Sequence, residues 1–137
     1  MGRPEEITDF FADYAGYFAQ VRSQENRNIL DKIDAYVKEH YMEKISLRSL
    51  GEMFYINNVY LGQLYKKRYH IVFRDYLNQL RLEKAKELLE DTDTRIYRIA
   101  EETGFGKADY FINKFVQVYG ITPNQYRMKF KKSGRGN

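Results

Sequence analysis

The sequence has no cysteine and no tryptophan, and only two prolines, Pro4 and Pro123. Without thiols, disulfides and thiolate metal sites are excluded. With so little proline, and little of the alternation that marks strands, the chain reads as helical nearly throughout. No apolar run approaches the roughly 20 residues a membrane span needs, and no basic-then-apolar signal segment opens the sequence. A cytoplasmic location and no membrane partner are therefore expected. Signs of catalysis are equally scarce. There is no Gly-rich phosphate loop, nucleophile motif or carboxylate pair at catalytic spacing. The two histidines, His40 and His70, each sit beside a tyrosine with no second ligand in register. Glu101-Glu102 reads as a solvated helix edge. No catalytic residue, metal site or cofactor is expected.

What is present is a sizeable apolar fraction and an uneven charge. The 137 residues make one domain or two very small ones. Hydrophobic residues are 43% of the chain, enough for a core, and thirteen Tyr and nine Phe dominate its larger members. The net charge is +4. Residues 1–26 hold five acids (Glu5, Glu6, Asp9, Asp13, Glu25) and two bases (Arg3, Arg22), a balance of −3, so the remainder carries +7. A basic body with a slightly acidic arm points to a polyanion partner for the body; a solvated surface that happens to be basic is the plainer alternative.

Helical spacing organises the chain. Ile7, Phe10, Phe11, Tyr14, Phe18 and Val21 predict an amphipathic helix over about 5–24, separate from the rest of the chain. A second helix is predicted from about Arg27 to His40, with Ile29, Leu30, Ile33, Tyr36 and Val37 on one face. Short helices follow Ser46, a suitable N-cap, and Asn57. A long helix over about Val72–Glu90 has Phe73, Tyr76, Leu77, Leu80, Ala85, Leu88 and Leu89 as its inner face. Asp91-Thr92-Asp93-Thr94 is a turn and cap cluster. Thr122-Pro123 is an N-cap followed by proline at the first helical position. The expected division is an N-terminal connecting helix over 1–26, a body over 27–132 and a disordered Gly-rich tail over 133–137.

The body contains a repeat. Leu47, Leu50, Gly51 and Ile56 correspond to Ile96, Ile99, Ala100 and Phe105 at an offset of 49. Tyr60, Leu61, Tyr65, Tyr69 and Ile71 correspond to Tyr110, Phe111, Phe115, Tyr119 and Ile121 at an offset of 50, so one residue is inserted in the second turn. Each copy is a short helix, a tight turn and a second helix, with a small residue (Gly51 or Ala100) where crossing helices touch. Gly104 falls where a helix must end in left-handed backbone. This is the helix-turn-helix pattern, whose second helix enters the DNA major groove. An ordinary helical hairpin repeat is the plainer reading. The cluster Lys66-Lys67-Arg68 on the second helix of the first copy favours DNA.

Residues from about Asn28 to Phe130 resemble the DNA-binding domain of AraC/XylS-type transcription regulators. The resemblance rests on Ile99-Ala100, Gly104-Phe105, Tyr110-Phe111, Phe115, Tyr119-Gly120-Ile121-Thr122-Pro123 and Tyr126-Arg127, and on the stretch Leu80 to Leu89. It implies an all-α fold of seven helices, two helix-turn-helix units joined by a long linker helix, here with an added N-terminal helix. The stretch Phe54 to Lys67 resembles members fused to a phosphorylated receiver domain, which implies that this chain is the C-terminal output domain of a larger regulator such as a two-component response regulator. There are departures. Tyr55 stands where the second copy has Gly104, which predicts a helix end made differently. His70 replaces the glycine seen at position 120, and Asn58 takes a place often held by proline. The first unit is expected to be the less rigid.

Matching the family's positions residue by residue implies base contacts from Val59, Gly62 and Gln63 on the first recognition helix. On the second it implies Lys107, Ala108, Asp109, Ile112 and Asn113. Gln63 and Asn113 suit adenine, Val59 and Ile112 a thymine methyl, and Asp109 cytosine N4; Gly62 only permits close approach. Asp109 is equally a helix-start acid, and Gln63 a solvated amide. Phosphate contacts are expected from Ser46, Asn57, Asn58, Lys66, Lys67, Thr94 and Lys114, with Ser46 and Thr94 capping helix N-termini. Arg81 and Arg127 match positions the family uses mainly to brace helices. The expected partners are double-stranded DNA, RNA polymerase, and a second copy joined through the N-terminal helix or a missing regulatory domain. A helical protein-interaction module of a signalling complex is the competing reading from another class. RNA binding is disfavoured by the lack of any single-strand module.

Overall fold

A computed structural model describes the backbone of residues 4–135 and the side chains of residues 19–131. It contains seven helices and, among the described residues, no strand. These are α1 (Pro4–His40), α2 (Leu47–Phe54), α3 (Asn58–Tyr69), α4 (Phe73–Asp91), α5 (Ile96–Glu102), α6 (Ala108–Tyr119) and α7 (Pro123–Arg135). The two repeat copies are α2–α3 and α5–α6, and α4 is the linker.

The N-terminal arm differs from expectation. In place of two helices, α1 runs unbroken through the predicted boundary at 24–27. The reason is local. Ser23 to Arg27 contains neither proline nor glycine, and Gln24 bonds Asn28 and Arg27 across the supposed break. The apolar stripe from Ile7 to Phe18 lies outside the described side chains. At the other end α7 continues to Arg135, past the Ser133 boundary set for the tail.

The caps show how sequence sets the ends. Ser46 caps α2, accepting from the Ser49 amide at 3.1 Å, while Ser49 Oγ accepts from the Ser46 amide at 2.9 Å. Asn57 caps α3 by accepting from the Tyr60 amide at 3.0 Å. Thr122 and Gln125 form the same reciprocal pair at the start of α7, with Pro123 at its first position. Thr94 does not cap α5, contrary to expectation. The cap residue is Arg95, and it makes no side-chain cap bond. Thr92 turns its hydroxyl back to the Leu88 carbonyl at 2.6 Å and accepts from the Thr94 amide at 3.2 Å. The threonines therefore close α4 instead of opening α5.

Both turns pass through left-handed backbone at corresponding positions. Tyr55 has φ 57° and Gly104 φ 97°. The two helix ends are made differently, as expected: Tyr55, a residue disfavoured in left-handed backbone, itself caps α2, while α5 is capped by Thr103 in right-handed backbone and its turn carries two left-handed glycines, Gly104 and Gly106. Tyr55 is 96% exposed, so its side chain meets no obstacle. His70 (φ 63°) and Gly120 (φ 80°) are likewise left-handed at the ends of α3 and α6. Gly51 is small because of the turn itself: a Cβ there would lie 2.6 Å from the Ile56 carbonyl oxygen.

Two cores form, one per unit. Leu30, Ile33 and Val37 of α1 pack with Leu50, Leu61, Tyr65, Phe73, Tyr76 and Leu77. Leu82, Ala85 and Leu89 pack with Ile99, Ala100, Phe105, Phe111 and Phe115. The helix α4 therefore has no single inner face. At about 100° per residue, the stripe 73–76–77–80 and the stripe 82–85–89 point to nearly opposite sides. The first half of α4 is built into one unit and the second half into the other. This is why Leu82 and Asn78 are buried although a single-face reading of the helix passes over them.

Candidate nucleic-acid interface

The surface that α3 presents follows from its packing. Leu61 and Tyr65 are fully buried, which turns the opposite face of α3 outward. Val59 is 65% exposed, and Asn57, Asn58, Gln63, Lys66 and Lys67 are exposed with it. Gly62 faces α2: a Cβ there would come 3.0 Å from Leu47 Cδ1, so its smallness serves helix packing. On α6, buried Phe111 and Phe115 play the same part. Lys107, Asp109 and Asn113 are exposed, and Ala108 and Ile112 are half-buried beside them. Lys114 is half-buried, its ammonium 5.7 Å from the centre of the Tyr110 ring and 3.4 Å from Gln117 Oε1.

The structure thus brings Val59, Gln63, Lys66 and Lys67 together on one exposed side of α3. It brings Lys107, Asp109, Ile112 and Asn113 together on the matching side of α6. Ser46 and Asn57 cap helix N-termini with oxygens already occupied by amides. Thr94 stands apart in the turn after α4.

What holds these surfaces in place is polar as well as apolar. Asp34 of α1 is only 4% exposed, inside the first core. Its carboxylate accepts from the Tyr76 hydroxyl at 2.6 Å, from Tyr65 at 3.3 Å and from Tyr69, with Lys38 3.6 Å away. Burial and then the charge of Asp34 push the Tyr65 hydroxyl well above its ordinary value. Burial and the Asp34 hydrogen bond do the same for Tyr76. The phenols therefore stay protonated and donate. Two further pairs tie α1 to α3: Asp31 accepts from Arg68 at 2.6 Å, and Asn26 meets the Tyr60 hydroxyl at 2.5 Å. Sequence reasoning missed this knot. Its one signal was an acid within the apolar set Leu30, Ile33 and Val37.

Arg81 and Arg127 brace, as the resemblance implied. Arg81 donates from Nε to the Tyr41 carbonyl at 2.8 Å and from Nη2 to the Glu43 carbonyl at 3.0 Å. Arg127 reaches the carbonyls of Leu89 (3.2 Å) and Leu88 (3.4 Å) at the end of α4. No three acids or histidines among the described residues are grouped to hold a metal ion. No helix there is long and apolar enough to cross a membrane.

Residues 50–129, well over half the chain, match the family model described as a helix-turn-helix domain. The uncharacterized HTH-type transcriptional regulator YijO of Escherichia coli K12 is 32% identical over 118 residues, covering 86% of this chain and 41% of that protein. The C-terminal domain of the two-component response regulator yesN from Fusobacterium nucleatum is 42% identical. It superposes with a TM-score of 0.69, covering 73% of this chain and 98% of that one. The DNA-binding domain of AdpA, solved with a target DNA, shares the fold at a TM-score of 0.73 and 21% identity, covering 79% of this chain and 96% of that one. The chain spans about half or less of the length of the curated relatives it matches. Two helix-turn-helix units on one linker helix, matched over this length and at these identities, place the chain in the AraC-type helix-turn-helix family of transcription regulators.

Proposed function

We propose that this chain binds a specific sequence of double-stranded DNA and regulates transcription as the output domain of a larger regulator of the two-component kind. The observation that carries it is the equivalence of α3 and α6. Both follow a left-handed turn, bury an aromatic or aliphatic pair at the same register, and leave the same face open. Both are fixed to one rod, α4. With recognition helices set about one DNA turn, roughly 34 Å, apart, a single chain reads two successive major grooves.

Gln63 and Asn113 are the adenine readers in this reading, Val59 and Ile112 the methyl readers, and Lys66, Lys67 and Lys114 the phosphate holders. The N-terminal half of α1 joins the reader to a signal-receiving module, to a second copy, or to both. RNA polymerase is the partner through which bound regulator alters transcription. Selection of bound duplexes from a random pool tests the reading. It predicts a motif of two short elements whose centres lie about one turn apart. A pool that stays random after repeated selection would overturn it.

A further inference from the structure

A groove separates the two units, lined by Leu47, Arg48, Arg74, Asn78, Arg81 and Tyr110. Its rims belong to the recognition machinery of both units. Leu47 packs on Gly62 of α3, and Tyr110 is part of α6. Its floor is α4. Arg74, Asn78 and Arg81 recur at spacings of four and three, on the side of the rod that the second unit covers only further along, from Leu82.

Three features of this groove call for an anion. Arg48 and Arg74 are exposed; Arg48 has only a loose ion pair with Glu52 at 3.6 Å, and both of those side chains are largely in solvent. Arg81 is half-buried, and its bonds go to two neutral carbonyls. Among the described residues no carboxylate pairs with it, and burial lowers its pKa. Asn78 is only 6% exposed, and no group among the described residues hydrogen-bonds its side-chain amide. The amide is not sealed off, since no buried side-chain nitrogen or oxygen among the described residues lacks a partner, and its opening is into the groove. Three guanidiniums and one unpartnered amide form a seat for a phosphate oxyanion, which guanidinium forks suit best.

We infer that this groove seats a phosphate, and that its occupant is a backbone phosphate of the DNA stretch lying between the two grooves read by α3 and α6. Resting on the DNA reading above, it adds a third, sequence-independent point of attachment. Such a contact sets the register of both recognition helices at once.

The test uses a duplex taken from the random-pool selection. Arg74→Ala should flatten the dependence of log affinity on log salt by about one unit of slope. A single uncharged methylphosphonate placed midway between the two half-elements should weaken binding by the unmodified chain several-fold, and cost Arg74→Ala nothing further. Asn78→Asp, which puts a carboxylate in the seat, should weaken binding to all duplexes; its folding is checked by thermal melting. An unchanged slope in Arg74→Ala, or an equal methylphosphonate penalty in both proteins, overturns the inference while sequence-specific binding persists. Loss of all sequence preference in the selection overturns the DNA reading itself. A third arm titrates inorganic phosphate into the chain without DNA, following the Asn78 side-chain amide by NMR. A response there, joined to an unchanged salt slope, assigns the groove to a free phosphorylated ligand and overturns the DNA occupancy.

Discussion

Arg81 of the linker helix donates to the Tyr41 carbonyl at 2.8 Å, and the same two groups lie against Gly104, where a Cβ would come 2.8 Å from Arg81 Nε and 2.9 Å from Tyr41 O. One arginine thus joins the loop before the first unit, the rod, and the turn of the second unit. Gly104→Ala should destabilise the chain by about 2 kcal/mol or more, since it adds a clash to a φ of 97°. Arg81→Met should cost about 1.5–3 kcal/mol through two lost charged hydrogen bonds. Urea unfolding measures both. A smaller loss in Gly104→Ala than at open Gly120→Ala would show that the junction is not tight.

Left-handed residues other than glycine invite the opposite result. Tyr55→Gly and His70→Gly should each stabilise by up to about 1 kcal/mol, because the strain of φ near 60° is relieved and little packing is lost. Melting temperatures should rise for each. A fall in either would mean that the exposed side chain is held by contacts outside the described residues.

The knot at Asp34 should be the least tolerant polar site. Asp34→Ala leaves the hydroxyls of Tyr65, Tyr69 and Tyr76 without their acceptor, at a cost of about 3–5 kcal/mol. Calorimetry showing a change under 1 kcal/mol would indicate that water replaces the carboxylate with ease.

The same tyrosines set an alkaline limit. Burial, reinforced by Asp34, raises the folded pKa of Tyr65 and Tyr76 above their ordinary 10.0, and burial with the Glu90 bond pushes Tyr126 up to about 12. Below pH 10 both folded and unfolded chains keep these protons, and stability is undiminished. Above pH 10 only the unfolded chain releases them, so stability falls as pH rises. Absorbance titration should show Tyr65 and Tyr76 ionising only as the fold is lost. Ionisation of Tyr65 and Tyr76 near pH 10 with the fold intact by circular dichroism would contradict the buried network.

Reading and holding should separate by mutation. Gln63→Ala and Asn113→Ala should each cost about 1–3 kcal/mol on the selected duplex and relax one base position. Lys66→Ala should weaken all duplexes alike and reduce the salt slope by about one. An unaltered base preference in Gln63→Ala would remove that face of α3 from the reading surface.

Much of this was legible in the sequence because the repeat is strict. Offsets of 49 and 50 located both units, their small residues and the extra turn residue, now seen as Gly106 at φ 83°. The caps at Ser46 and Thr122 were readable because their bonds are local. What was not legible depends on partners far along the chain. Periodicity predicts a single hydrophobic face for α4, because period alone cannot tell one stripe from two stripes serving different cores. The apolar spacing of 5–24 predicts a break in α1 near residue 24, yet neither proline nor glycine interrupts Ser23 to Arg27 and the helix runs on. The grouping of Arg48, Arg74 and Asn78 has no local signal, because it arises only where the second unit lies beside the first.

The central claim is that α4 fixes two readers at one spacing, and phasing tests it directly. In a selected duplex, about five base pairs, half a turn, are inserted between the two half-elements, and then a full turn of about ten. The account predicts that either insertion reduces binding to that of a duplex carrying one half-element, since α3 and α6 cannot follow it. Affinity that survives the ten-pair insertion would mean that the two units move independently, and would contradict the account.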